Sequence, residues 1–370
     1  MRFSLLYGPF CLSFRKTLDL DTWRTDPRGL SGSEMCAVRL YQELQALGHD
    51  VEFFSIGNGC SPWEKRGEWT GDVAISINVP DDLRGMRAKV RVCYALLNDF
   101  SFCKVGFEEH VDLFLSPSAA HRDQCLNNPD WRKVEVTPDH SNGKAQWDPS
   151  GKPWAAVALG CDPERYDGFE KVPGRVVYVS SPDRGLHLLL QEWPKIRKAA
   201  PHATLKVFYR VRDWINSWAG VPFYPSIERQ RQRAIYIDEC LRRLEGYGVE
   251  LVDAVSREQL ERELGQAEVL AFPCDPVNNF TEGFSVATLE GCAARACPVI
   301  SDADALGSIY HEACVVVPRG RWDEWREHVI DVLRDEKRRE HVNRMAVDFA
   351  RRTTWSHTTQ RIMNLVQERL

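Results

Sequence analysis

The chain has 370 residues, too many for one ordinary core, so two domains are expected. Charged residues make up 27% and the net charge is -5, which gives no reason to make nucleic acid the main partner. No apolar run approaches the ~18 residues of a membrane helix; a soluble protein is expected, with peripheral membrane contact left open.

Residues 2–7, RFSLLY, read as a first β-strand, because the N-terminus lacks the small-residue cleavage pattern of a signal peptide. Strands are next predicted at 51–56, 72–78, 89–97 and 112–115. Others follow at 155–159, 175–180, 204–209, 249–252, 268–272, 297–301 and 314–317. Several are continuous apolar runs, the pattern of parallel strands covered on both faces. Amphipathic stretches lie between them, among them 33–47 and 185–199. Strand and helix alternating in this way, twice over, predict two doubly wound α/β domains.

A polar stretch at 136–153 precedes one strand, and GCDPERYDGFEKVPG (160–174) reads as a linker before the next. The expected division is 1–170, 171–353 and a terminal helix over 354–370. The charged run 228–246 reads as a solvated amphipathic helix. The aromatic run 214–224 reads as an inserted loop, or as a patch facing the other domain or an acceptor. Twelve cysteines are scattered, with no C-x-x-C and four residues between the closest pair, Cys292 and Cys297. Zinc and thioredoxin-type readings therefore fall away. Cysteine in apolar strands behaves as a small core residue, and a reducing compartment follows.

DPVNNFTEGFSVATLEGCAARACPVISD (275–302) carries the chemistry. Ser285 is a good N-cap type, so a helix is predicted from there to about Arg295. Glu282 then lies just before the helix and Glu290 lies inside it, roughly 7–8 Å along the axis from the cap. Gly283 allows close backbone approach. The amides of Phe284, Ser285, Val286 and Ala287 include the unpaired donors of a first turn, a natural phosphate site. A ligand with a diphosphate there and a hydroxyl-bearing ring on either side would meet one Glu per ring, and a nucleotide sugar has that shape. Spacing alone also allows a solvated helix Glu and a loop Glu.

The Glu, seven residues, Glu arrangement in TEGFSVATLEGCAARACPVISD resembles the donor-site motif of family-4 glycosyltransferases, with their GT-B fold of two Rossmann-like domains facing across a cleft. The resemblance implies that Glu282 contacts the transferred sugar and Glu290 holds the ribose hydroxyls. It also implies that the amides after Glu282, from Gly283 through Val286, bind the diphosphate. GRVVYVSSPDRGLHLLLQEWPKIRKAAPHATLKVFY (174–209) resembles the family's first strand, loop and helix of the second domain, where Arg184 matches the basic residue that neutralises the leaving diphosphate. Many members have a further Arg upstream; here Ser180-Ser181 stands at that place. LGCDPERYD (159–167) is similar to the segment leading into the inter-domain linker. PRGLSGSEMCAVRL (27–40) stands where the family has a glycine-rich loop near the donor phosphates, which implicates Gly32 and Ser33. It has one glycine where a pair is usual. It is not G-x-G-x-x-G, and no acidic residue ends the second strand, so a dinucleotide site is not expected.

YALLNDFSF (94–102) and LSPSAAHRD (115–123) end strands on the side where open α/β sheets hold ligands. Asn98 and Asp99 stand at the first end, and Ser116, Ser118 and His121 at the second. Family members often have a catalytic His or Asp in the first region; no His stands there, so the resemblance makes Asp99 a candidate, which equally suits a capping role, as His121 suits a helix start. The resemblance implies a retaining, metal-independent glycosyltransferase using a UDP- or GDP-sugar as co-substrate and no other cofactor. Its partner would be a sugar-containing acceptor (glycan, lipid-linked or small-molecule), its location the cytoplasm or the inner face of a membrane. The last helix would cross back to the first domain. A nucleotide-sugar hydrolase or epimerase, or a non-catalytic nucleotide-sugar-binding protein, would use the same fold.

Overall fold

The computed structural model describes residues 1–12, 17–97, 100, 103–104, 106–127, 133–134, 145–146, 151–219, 221, 227–277 and 282–370. Asn98 and Asp99 lie outside the described residues. The chain divides into two compact units: Met1–Trp23 with Leu30–Gly160 and Trp355–Leu370, and Arg24–Gly29 with Cys161–Thr354.

In the first unit the strands are β1 (Arg2–Leu6), β2 (Asp50–Ser55), β3 (Ser61–Pro62), β4 (Thr70–Ile77), β5 (Arg87–Tyr94) and β6 (Leu113–Ser116). A separate antiparallel pair, β7 (Lys133–Val134) and β8 (Ala145–Gln146), precedes β9 (Trp154–Ala156). The main sheet runs β3-β2-β1-β4-β5-β6-β9 with every pairing parallel; Phe3 lies between Val51 and Val73. Parallel strands need crossovers that return the chain, and helices α1 (Gly32–Ala46) and α2 (Ala119–Asn127) serve two of them. Helix α1 starts through a reciprocal cap: the Ser31 hydroxyl accepts from the Glu34 amide, and the Glu34 carboxylate accepts from the Ser31 amide. That is the S-x-x-E signature in LSGSE. The core includes Leu6, Phe54, Cys93 and Phe114, so cysteine packs here as a small apolar residue.

The second unit is built from β10 (Arg175–Tyr178), α3 (Leu186–Ala199), β11 (Thr204–Val207), α4 (Val211–Ala219), α5 (Glu228–Arg243), β12 (Val249–Leu251) and α6 (Arg257–Gln266). It continues with β13 (Val269–Phe272), α7 (Val286–Ala293), β14 (Pro298–Ser301), α8 (Leu306–Tyr310), β15 (Val315–Val317), α9 (Trp322–Arg334) and α10 (Glu336–Arg352). The sheet order is β12-β11-β10-β13-β14-β15, again with parallel pairings. The direction of winding reverses between β10 and β13. At such a switch point the loops leaving the two strands part and open a crevice at their carboxyl ends. Helix α11 (Trp355–Gln367) follows and belongs to the first unit, where it packs on α1 with Trp355, Ile362, Met363 and Val366 buried.

Three expectations need correction. The second unit begins at Cys161, ahead of the expected division near 170. The stretch 160–174 is packed structure: Cys161 bridges to Thr354, and Tyr166 is 5% exposed in a short turn lying against α6 and α7. The run 228–246 carries the expected amphipathic helix: Ala234, Ile237, Cys240 and Leu241 recur at helical spacing and pack toward α3 and α4. Within 214–224, residues up to Ala219 continue α4, whose Val211 and Ile215 are buried; 220 and 222–226 lie outside the described residues.

His187, in the first turn of α3, is enclosed in the second unit. Burial and the nearby Arg233 guanidinium push its imidazole down to about 3 against the ordinary 6.5, with Asp275 pulling the other way. The unfolded chain takes up a proton near 6.5 while the folded chain resists until about 3. Stability is therefore lost as pH falls through that window. His187→Asn is expected to flatten the acid arm of the urea midpoint, by on the order of 2 kcal/mol between pH 7 and 4.5. Ile362→Ala in α11 is expected to cost about 2–5 kcal/mol in the same denaturation, whereas exposed Arg361→Ala stays within about 0.5 kcal/mol.

Candidate functional site

Two loops at the switch point bring the predicted residues of the second unit together. The loop leaving β10 carries Arg184, and the loop leaving β13 carries Glu282 and the start of α7. Gly185 sets their approach: its φ of +124° is a conformation open mainly to glycine, and a Cβ there would lie 2.0 Å from the Pro273 carbonyl oxygen. The Asp275 amide also donates to the Arg184 carbonyl, at 3.2 Å. The result is an ion pair, Arg184 Nη1 donating to Glu282 Oε2 at 2.7 Å. The Glu282 side chain is 4% exposed and the Arg184 side chain 33%, so the anion is the more deeply enclosed of the two, while Arg184 Nε is itself buried. Burial pushes the Glu282 carboxyl above its ordinary range, and Arg184 pulls it back.

Around this pair stand residues that the sequence did not single out. Asp304 adopts a left-handed backbone (φ 54°), which Asp tolerates better than most residues, and its carboxylate accepts from the Glu282 amide at 2.9 Å. Arg233 of α5 donates to the Asp183 carbonyl at 2.7 Å and also to the Asp275 carbonyl, tying the two loops together. The Asp275 carboxylate binds Arg233 at 3.2 Å and Arg319 at 2.7 Å.

Ser285 is the N-cap of α7, as its residue type predicts. Its hydroxyl accepts from the Thr288 amide at 3.2 Å, and its carbonyl accepts from the Tyr310 hydroxyl at 2.7 Å. The amides of Val286 and Ala287 belong to the first turn, which has no intrahelical acceptors for them. Backbone N–H groups and the positive end of the helix dipole there favour an anion. Gly283 and Phe284 form the approach to that turn, and Phe284 is buried against Tyr310.

Glu290 lies farther along α7 and is buried. Its partner is Arg257 of α6, which grips the carboxylate with both guanidinium branches: Nη1 to Oε2 at 3.0 Å, and Nη2 to Oε1. Here too burial raises the carboxyl and the arginine opposes it. Removing one partner of such a pair strands a charge at a cost of about 3–5 kcal/mol. A buried Glu in an apolar helix demands a cation, but nothing in the sequence selects Arg257 from 48 Lys and Arg residues.

Gly32 and Ser33 lie in the first unit, in the opening turn of α1, where the Asn78 side-chain amide donates to the Ser33 hydroxyl at 3.0 Å. His121 and Ser118 take local roles: the Ser118 hydroxyl accepts from the His121 amide at 3.1 Å, and the His121 ring meets the Cys125 thiol. Ser116 donates to the Ser118 carbonyl at 3.0 Å. Among the described residues, no group of three or more His, Cys, Asp and Glu side chains is arranged to hold a metal ion.

Residues 175–348 match the family model described as "Glycosyl transferases group 1". No curated protein sequence matches the chain significantly. Among solved structures, a sucrose-phosphate synthase from Thermosynechococcus elongatus superposes with a TM-score of 0.66 at 12% identity, over 100% of this chain and 98% of that one. An alpha-glucosyltransferase in complex with UDP gives a TM-score of 0.63 at 11% identity, covering 99% of this chain and 100% of the other. The glycosyltransferase WaaG, involved in lipopolysaccharide biosynthesis, gives 0.61 at 11% identity with 99% of each chain covered. The chain thus has the GT-B fold, two parallel-sheet Rossmann-like domains.

Proposed function

We propose that the protein is a glycosyltransferase that moves a sugar from a UDP- or GDP-sugar to a sugar-containing acceptor, retaining the anomeric configuration and using no divalent metal. The observation that carries this reading is the Arg184–Glu282 pair beside the start of α7 at the switch point of the second sheet. The match of 175–348 to the group 1 glycosyltransferase model and the glycosyltransferase titles of the structural neighbours support it. Names such as sucrose-phosphate synthase and trehalose-phosphate synthase make sugar phosphates the first acceptors to try.

In this reading the diphosphate lies against the Val286 and Ala287 amides. Negative charge grows on its terminal oxygen as the bond to the anomeric carbon breaks. Arg184 turns from Glu282 toward that oxygen, and its planar fork suits phosphate. Glu282, released, accepts hydrogen bonds from hydroxyls of the transferred sugar, and Glu290 accepts from the ribose. The groups are arranged before charge develops, so the stabilisation is largely electrostatic. Twelve unbridged thiols suit a reducing, cytoplasmic setting, and contact with the inner face of a membrane fits a lipid-linked acceptor.

The decisive assay is nucleotide release from UDP-, GDP- and ADP-sugars, with and without sugar and sugar-phosphate acceptors. Acceptor-dependent release that persists in EDTA is expected, with the product anomer identified by NMR. Release independent of acceptor would instead favour a hydrolase or epimerase, and binding without release a non-catalytic protein. Glu282→Gln and Arg184→Ala are each expected to lower kcat by about 10²–10³-fold. Gly185→Ala is expected to lower kcat as well, by displacing the Arg184 loop; full activity in all three would sink the assignment.

A further inference from the structure

Glu290 does not stand alone with Arg257. The same guanidinium donates from Nη2 to the Tyr166 hydroxyl at 2.6 Å and from Nε to Glu261 Oε1 at 3.2 Å. The other oxygen of Glu261 accepts from Arg24 Nη2 at 2.8 Å. Arg24 belongs to the short segment Arg24–Gly29, which comes from between β1 and α1 in the chain but is part of the second unit. That segment is seated on the first turn of α6. The Arg24 carbonyl accepts from the Glu258 amide at 3.1 Å, and a Cβ on Gly29 would lie 2.7 Å from the Val255 carbonyl oxygen.

The result is a row of alternating charges, Arg24, Glu261, Arg257 and Glu290, of which the last three are 8% exposed or less. All three nitrogens of the Arg257 guanidinium are engaged: both branches and Nε each have an acceptor. A guanidinium fixed in this way has one plane, and the carboxylate it grips with two parallel bonds has one plane too. The grip uses one acceptor site on each Glu290 oxygen. An ionised carboxylate has about four such sites, so one on each oxygen remains for a ligand. Two neighbouring hydroxyls match two such sites side by side.

We propose that Arg257 is the positioning residue of the nucleotide side of the site: its two-pronged bond fixes the Glu290 carboxylate to receive the two vicinal hydroxyls of the donor's ribose. Arg24, through Glu261, holds Arg257 in its plane, so the inserted segment contributes to reading the ribose without touching it. This inference rests on the proposed function.

The test is calorimetric titration of the full-length protein with UDP, GDP and ADP, followed by the 2′,3′-dideoxy form of whichever binds best. Wild type is expected to prefer the ribose form by tenfold or more. Arg257→Lys keeps the charge but not the fork, and is expected to reduce that preference below threefold while leaving the affinity for the dideoxy form unchanged. KM for the nucleotide sugar should rise by a larger factor than kcat falls. Should single variants fold poorly, Arg257→Met combined with Glu290→Gln removes both charges together, and is expected to show the same loss of preference. Wild-type preference retained in Arg257→Lys overturns the inference, as does an equal loss of affinity for both forms, which marks a merely structural role. A wild type that binds nucleotide without preferring the ribose form overturns it too. A wild type that binds none of the three nucleotides overturns the functional reading, and this inference with it.

Discussion

Glu282 and Glu290 are both held in the interior of the second unit, and each is there because an arginine meets it. An isolated carboxylate taken out of water would neutralise itself or unfold its surroundings. Glu290 is compensated by Arg257, which grips it with both branches, while Glu282 is compensated by a single contact from Arg184, whose side chain is one third exposed. That difference separates the two pairs in kind. The two-pronged pair holds its carboxylate in one orientation. A half-open pair with a single contact has an arginine that an incoming anion can draw away.

Everything near the half-open pair acts to keep its loops in register. Gly185 permits the two loops to touch, Asp304 grips the backbone of Glu282, and Arg233 clamps the carbonyls of Asp183 and Asp275. None of these residues supplies chemistry in the proposed reaction. They fix where the chemistry-bearing groups point, which an electrostatic mechanism requires because its groups must be placed before charge develops. Arg233 illustrates the cost of judging a helix by its composition. It sits in a strongly charged stretch that looks like a solvated surface, yet its own guanidinium is largely withdrawn into the loop junction.

The segment Arg24–Gly29 shows a different economy. A short segment that lies between β1 and α1 in the chain, but belongs to the second unit, supplies an arginine and a carbonyl to α6 of that unit. Such a segment is invisible to a reading based on periodicity, because its role lies in where it docks and not in any pattern of its own.

The doubly wound architecture was legible in the sequence because parallel strands buried on both faces leave continuous apolar runs, and the helices between them leave amphipathic ones. The start of α7 was legible too, since Ser285 caps through a local bond that its residue type announces. Glu282, Glu290 and Arg184 could be named because the stretches around them resemble motifs of a known family. Arg257, Asp304, Arg233 and Arg24 could not: each acts on a residue from 22 to more than 200 positions away, and pairing at that range leaves no spacing rule behind. The division of the chain was also misjudged, because Cys161 and Tyr166 are tied to α10 and α6 by contacts that polar composition at 160–174 does not disclose. Local chemistry, written in neighbouring residues, was determined by the sequence alone. Which arginine compensates which buried carboxylate was decided only when the sheet brought distant loops together, since a buried charge selects its partner by proximity in space.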